Sequence, residues 1–203
     1  MAKRDLKSEL RPLYSPSAKG PVLVDVPRLS FLMVDGKGDP TSGEMFQSAL
    51  GSLYGLAYTL KFMLKKKRVE FTVMPLEALW WTEGRGSFDP DRRGDWQWTA
   101  MIAIPEEIKR ADLRQAAAEA AAKKPEIDYA AVRLESWKEG RCVQILHVGP
   151  YAEERPTLER LHAFLTAEGY ILNGKHHEIY LGDPRRTAPE KLKTVVRQPV
   201  RRL

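Results

Sequence analysis

Hydrophobic and polar positions along this chain alternate with two periods. A period near 3.6 runs through residues 43–66, where Phe46, Leu50, Leu53, Ala57, Leu60 and Leu64 form one stripe, flanked by Tyr54 and Tyr58. That spacing predicts an amphipathic helix, with Ser42 placed to cap it. A second such stripe, Leu158, Leu161, Phe164 and Leu165, predicts a helix over 152–168 that Gly169 ends. Residues 106–124 are rich in alanine: high in helix propensity, weak in apolar stripe. Alternation of period two, or short β-prone apolar runs, predicts strands over 30–35, 69–81 (with Pro75 marking an edge or a bulge), 96–104, 129–137, 141–148, 177–182 and 193–200. Lys138-Glu139-Gly140 reads as a hairpin loop joining two of them. Residues 82–94 read as a polar loop. Residues 1–20, with Pro12, Pro16 and Gly20, read as an arm carrying a short helical turn over 6–11.

This order contains a repeat of elements. Strand, helix, strand, strand over about 21–105 is followed by a connecting helix over about 106–125, and the same order returns over about 126–203. Each half has one amphipathic helix to cover one face of its strands. The expected fold class is therefore α+β: tandem pseudo-two-fold β-α-β-β units joined in one antiparallel sheet, with helices on one face and a ligand groove on the other.

Composition narrows the class. The 203 residues are 43% hydrophobic and 30% charged, as in an ordinary globular protein. No run of 18 apolar residues exists, so no membrane partner is expected, and the N-terminus lacks a signal-like apolar core. Cys142 is the single cysteine, which excludes an intrachain disulfide and fits the cytoplasm. The net charge of +6 permits an acidic partner. The basic runs 65–68, 92–93, 185–186 and 201–202 lack the interleaved aromatics of a single-strand binder, so nucleic acid is not expected and solvated faces are. Histidines 147, 162, 176 and 177 show no metal-ligand spacing, and Gly36-x-Gly38 lacks the remaining marks of a nucleotide fingerprint. No metal and no cofactor are expected. There is no Gly-x-Ser-x-Gly elbow, and Cys142 within a strand reads as core.

The chemistry-bearing residues lie on strands. In 177–182, Glu178 and Tyr180 share one face, and Ile179 and Leu181 the other. Taken alone, this is the solvated outer face of an edge strand; the second reading sets the carboxylate and the phenol in a cavity for a cationic or polarised aromatic guest. In the strand that follows Pro75, Glu77 and Trp81 share a face opposite Trp80, and that face is expected to turn toward the cleft. Two carboxylates, Glu77 and Glu178, would then face each other near the pseudo-two-fold. All five tryptophans lie on or beside strands. Trp96 and Trp98 share parity and are either core or a cleft wall.

Four stretches resemble a known family: residues 31–40 (FLMVDGKGDP), 75–81 (PLEALWW), 144–151 (QILHVGPY) and 177–192 (HEIYLGDPRRTAPEKL) are similar to GyrI-like small-molecule-binding proteins. The resemblance covers the chain from about residue 20. It implies a ligand groove in a pseudo-symmetric pair of β-α-β-β units, with Glu178 at the position of a strand-borne glutamate that meets cationic lipophilic drugs in multidrug-responsive regulators. No helix-turn-helix precedes residue 20. The segment 76–81 resembles a stand-alone branch reported to hydrolyse the cyclopropane of DNA-alkylating natural products through an aromatic cage. The resemblance implies three functions. The first is a binder of hydrophobic, planar or cationic small molecules, for sequestration or detoxification. Its candidate lining residues are Glu77, Trp81, Trp98, Trp137, Tyr151, Glu178 and Tyr180, with Tyr54. The second is a hydrolase in which Glu178 is the catalytic base and a tyrosine (Tyr54) or a protonated glutamate donates a proton. The third is a gyrase-inhibitor-like interaction protein, which the positive charge fits poorly because a DNA mimic should be acidic.

Overall fold

A computed structural model describes residues 3–41, 43–84 and 88–203. Its elements in chain order are α1 (Leu6–Glu9), α2 (Arg11–Tyr14), β1 (Val22–Lys37), α3 (Glu44–Lys66), β2 (Leu76–Thr82), β3 (Trp96–Ile104), α4 (Arg110–Lys123), β4 (Arg133–Val148), α5 (Arg155–Ala167), β5 (Tyr170–Leu172), β6 (His176–Tyr180) and β7 (Lys193–Arg202). Ser42, assigned above as a helix cap, and part of the 82–94 loop lie outside the described residues.

All strand pairs are antiparallel. The strand order is β4-β1-β3-β2-β6-β7-β5, and β4 also pairs with β7, so the sheet curls until it closes into a ring. Within the first half the order is β1-β3-β2; within the second, β4-β7-β6. The halves meet at two seams between equivalent strands, β1–β4 and β2–β6. The α+β class and the repeat are those the element order led to.

α3 presses Phe46, Ala49, Leu53, Leu56, Ala57, Leu60, Met63 and Leu64 onto the first half. Each large apolar side chain among them stabilises the fold by roughly 1.5–3 kcal/mol. Trp98 is completely covered beneath this helix, edge-on to Phe46 at 5.0 Å between centroids. Its ring occupies the space where Gly36 on β1 has no side chain; a Cβ there would sit 2.1 Å from the indole. α5 covers the second half with Leu161 and Leu165 against Val143, Ile145 and Val196. α4 buries only Ala116 and Ala120, as its thin apolar stripe allows, and packs on α3 rather than on the sheet.

Three segments differ from the sequence expectation. Residues 129–148 form no hairpin; β4 runs unbroken through Lys138-Glu139-Gly140 because β1 pairs with it almost throughout, from Arg133 to Gln144. Gly140 takes φ +81, a left-handed conformation that glycine adopts without strain. Here it reverses which face the side chains occupy rather than turning the chain: Glu139 and Gln144, five positions apart, both reach Arg197. β1 begins eight residues before the predicted strand and contains Pro27; there its only neighbour is β4, because pairing with β3 starts at Ser30, so the missing N–H can face the unpaired side. The strand predicted over 69–81 starts only at Leu76, after Pro75.

The N-terminal arm folds in. Leu6, Leu13 and Tyr14 are buried. The Leu13 carbonyl accepts from Arg197, the Pro12 carbonyl accepts from Gln144, and the Tyr14 hydroxyl donates to Glu77 at 2.8 Å.

Candidate functional site

Glu178 sits on β6 opposite Ala78 of β2, at the seam between the halves. Its neighbours of the same parity are His176 and Tyr180, and Trp80 across the seam. Trp80 packs on Phe46 of α3, so this face is the one that α3 and α5 cover from either side. Glu178 is 9% exposed, Tyr180 is half-buried and Tyr151 is 39% exposed.

The cluster is fully wired. Tyr180 donates to Glu178 Oε2 at 2.7 Å, the Trp80 indole donates to the Tyr180 oxygen at 3.1 Å, and His176 Nε2 lies 3.0 Å from Glu178 Oε1. The His176 ring is itself stacked on Phe88 at 4.7 Å. Tyr151 meets Tyr180 edge-on at 5.6 Å, and Tyr54 enters from α3, its phenol near the Leu76 backbone and Tyr151.

A second carboxyl, Glu154, comes from the N-cap position just before α5. The approach to that position is held by His147, whose ring nitrogens lie 3.0 Å from Thr157 Oγ1 and 3.1 Å from the Pro150 carbonyl. The environment splits the two carboxyls. Burial raises Glu154 well above the usual carboxylate range, and the adjacent Glu178 charge adds to this. Burial alone would raise Glu178 as well, but the hydrogen bonds and charge of His176 and the Tyr180 hydroxyl outweigh it and hold Glu178 low. The pair thus favours one ionised carboxylate and one proton-bearing acid. Tyr180 is raised by burial and by Glu178, and Tyr151 by burial and both glutamates, to about 12, so both phenols remain donors. Among the described residues, two buried side-chain oxygens lack a hydrogen bond of good geometry, Glu154 Oε1 and Thr194 Oγ1; the Thr194 hydroxyl still lies near enough to the Glu154 carboxyl to offset part of its rise. Thr194 pairs with Tyr180 across β6–β7, so both oxygens belong to this site.

Glu178, Tyr180, Tyr151 and Tyr54 are therefore brought together; Glu77, Trp81, Trp98 and Trp137 are not. Glu77 pairs with Ile179, one position out of phase with Glu178, so the two carboxylates point to opposite faces and do not oppose each other across a cleft. Glu77 is fully buried, hydrogen-bonded to Tyr14 and 3.0 Å from His177 Nε2. His177 Nδ1 lies 2.9 Å from Glu139, which also meets Arg197 at 3.3 Å. This buried network and the arm fill the place where alternation led us to expect a groove. Trp137 stands beside His177 and Phe31 on that side. Trp98 is core under α3. Trp81 lines a separate open cleft, considered below.

Sequence reasoning missed Glu154 and Glu139. An acid at a helix N-cap is accounted for by the dipole, and nothing in the sequence marks it further. Glu139 was hidden in an apparent hairpin loop.

The model of the GyrI-like small molecule binding domain matches residues 20–201. An uncharacterized conserved protein from Listeria innocua is 43% identical, covers 98% of this chain and 100% of its own, and superposes with a TM-score of 0.92. A hydrolase from Listeria innocua is 42% identical over 98% of this chain and 100% of its own, with a TM-score of 0.89. The C-terminal domain of EcmrR, 12% identical over 90% of this chain and 98% of its own, shares the fold at a TM-score of 0.57. No curated protein matches the chain.

Proposed function

Because the chain belongs to the GyrI-like small-molecule-binding family, we propose that the cleft between α3 and α5 takes a hydrophobic, planar or cationic small molecule. One observation carries this reading: Glu178, a carboxylate held below its ordinary range, is nearly buried beside the phenols of Tyr180 and Tyr151, of which Tyr151 reaches solvent, with Tyr54 next to them. A delocalised cation, or a ring with a polarised edge, gains ring contact from the phenols and charge from Glu178, and both strengthen as water leaves.

The split between Glu154 and Glu178 favours a second property, hydrolysis of the bound guest, and the similarity to a hydrolase from Listeria innocua supports it. The guest would carry a strained ring conjugated to a carbonyl, such as the cyclopropane of a DNA-alkylating natural product. Glu178 takes a proton from water as the water oxygen bonds to a ring carbon. The carbon–carbon bond breaks toward the conjugated carbonyl, and Glu154 gives its proton to that oxygen. The sum is the addition of one water, with the proton passed from one carboxyl to the other. Glu154 Oε1 and Thr194 Oγ1, which lack a well-formed hydrogen bond, are suitable acceptors for that water.

The test uses rhodamine 6G and a cyclopropane-bearing alkylator. The dye should quench tryptophan fluorescence saturably, and Glu178→Gln should weaken it on the order of tenfold, as expected for loss of one charge-assisted contact. Equal affinity in the variant overturns the charge reading. Gain of one water by the alkylator, seen by mass spectrometry, should vanish in Glu154→Gln while dye affinity stays; turnover that survives in both variants overturns the hydrolytic reading.

A further inference from the structure

A second open cleft of about 490 Å³ lies at the end of β2, on the side of the strand opposite Trp80 and the Glu178 cluster, with Met45 from the start of α3 at its rim. Trp81 is its aromatic wall, half-buried, and Lys175, from the turn before β6, lays its ammonium 3.2 Å from the centre of the Trp81 ring. Lys37, Asp35, Arg133, Gln97 and Thr99 supply its other polar groups.

The charges here are unequally matched. Asp35 is the cleft's single carboxylate, and it is spent: Arg133 grips it through both terminal nitrogens at 2.7 and 3.1 Å, and Thr99 donates to it at 2.7 Å. Arg133 is spent as well, its remaining Nε donating to Glu135 at 2.8 Å. Lys175 forms no ion pair among the described residues, and neither does Lys37. The Lys175 ammonium is partly withdrawn from water, and burial lowers its pKa; the Asp35 charge, already gripped by Arg133, offsets part of this, and the Arg133 charge adds to the lowering. A ring face beside an ammonium that has no ion-pair partner of its own is a site that an anion would complete.

We propose that this cleft is a second binding site, for a planar aromatic anion: a carboxylate, sulfonate or phosphate ester carried on a ring. The ring lies against Trp81, and the anionic group draws the Lys175 ammonium off the indole and takes Lys37 as a second contact. Its charge preference is the reverse of that at Glu178, and the two sites open on opposite faces, so one chain can hold two ligands of opposite sign.

The probe is 2-naphthalenesulfonate, with 2-naphthyltrimethylammonium as the cationic control of the same ring. The readout is the set of indole N–H signals in an ¹H–¹⁵N correlation spectrum, with the Trp81 signal assigned by Trp81→Phe. The sulfonate should shift the Trp81 signal saturably and leave Trp80, at the Glu178 site, unmoved. Lys175→Met should weaken the sulfonate at least fivefold and Lys175→Arg should restore it, which a purely structural role for the side chain would not do. Three outcomes overturn the proposal: no saturable shift at Trp81, equal or stronger binding of the cation there, or unchanged sulfonate affinity in Lys175→Met. Because the readout is specific to Trp81, failure here leaves the Glu178 reading intact, and failure of dye binding at Glu178 leaves this one intact.

Discussion

Glu154 shows how far a single residue's environment can depart from its position in the sequence. A carboxyl at a helix N-cap is ordinarily stabilised as the anion, yet here burial and the Glu178 charge reverse that. A carboxyl whose value in the fold lies above its ordinary 4.5 is at no disadvantage below that pH, and costs stability as pH rises toward the folded value. Glu154→Gln should therefore raise the melting temperature at pH 8 and leave it nearly unchanged at pH 4, and thermal denaturation at the two pH values checks this. The increase at pH 8 corresponds to ~1.4 kcal/mol for each unit by which the native pKa is raised, up to the pH of measurement. An amide keeps the hydrogen-bonding shape, so a loss of stability at pH 8 would mean that Glu154 is ionised in the fold. Glu178 belongs to the same pair with the opposite sign, because His176 and Tyr180 supply what Glu154 lacks.

Among the elements, the N-terminal arm does more than its composition suggests. Its two short helices place Pro12, Leu13 and Tyr14 against Gln144, Arg197 and Glu77, so the arm satisfies buried polar groups of both halves. Tyr14→Phe leaves Glu77 Oε1 without its donor, while Oε2 keeps His177, at almost no cost in volume. It should lower stability by about 1–3 kcal/mol, measured by urea denaturation with an unchanged slope. The sequence foretold an arm but not its destination, since polar contacts between segments 63 positions apart leave no local trace. The helices α3 and α5 were legible because their burial has one period throughout, and β3 because a β-prone, largely apolar run, buried at nearly every position, ends at Pro105. The Glu178 cluster was legible in part: alternation joined Glu178 to Tyr180, and the family resemblance brought in Tyr151. The pairing of Glu77 with Glu178 failed because each strand's alternation is indifferent to register. Across β2–β6 a shift of one residue decides whether the carboxylates face each other or point to opposite faces, and the structure sets Ala78, not Glu77, opposite Glu178. β4 was cut in two because Gly140 resembles a turn residue whether it turns the chain or only reverses its faces.

At the scale of the whole molecule, the buried network of Glu77, His177, Glu139 and Arg197 ties β2, β6, β4 and β7 together and sets a pH window. Burial would lower His177, but Glu139 and Glu77 overcome this and raise it above its ordinary 6.5; its contribution is complete below that pH and is lost as pH rises through the folded value. Burial would raise Glu139, but His177 and Arg197 hold it below 4.5; its contribution is present above that pH and is lost as pH falls through the folded value. The network should therefore be fully stabilising between the two ordinary values. His177→Gln should destabilise by about 3–5 kcal/mol inside that window and by less at pH 9, as paired denaturation curves would measure. A wild-type-minus-variant difference that grows toward pH 9 would reject the assignment. The closed ring has a consequence for manipulation of the gene. Strands of the two repeats alternate as neighbours at both seams, so splitting the polypeptide near residue 125 would leave each fragment with two bare hydrogen-bonding borders. Such fragments are expected to be insoluble when made singly and to regain solubility only when made together.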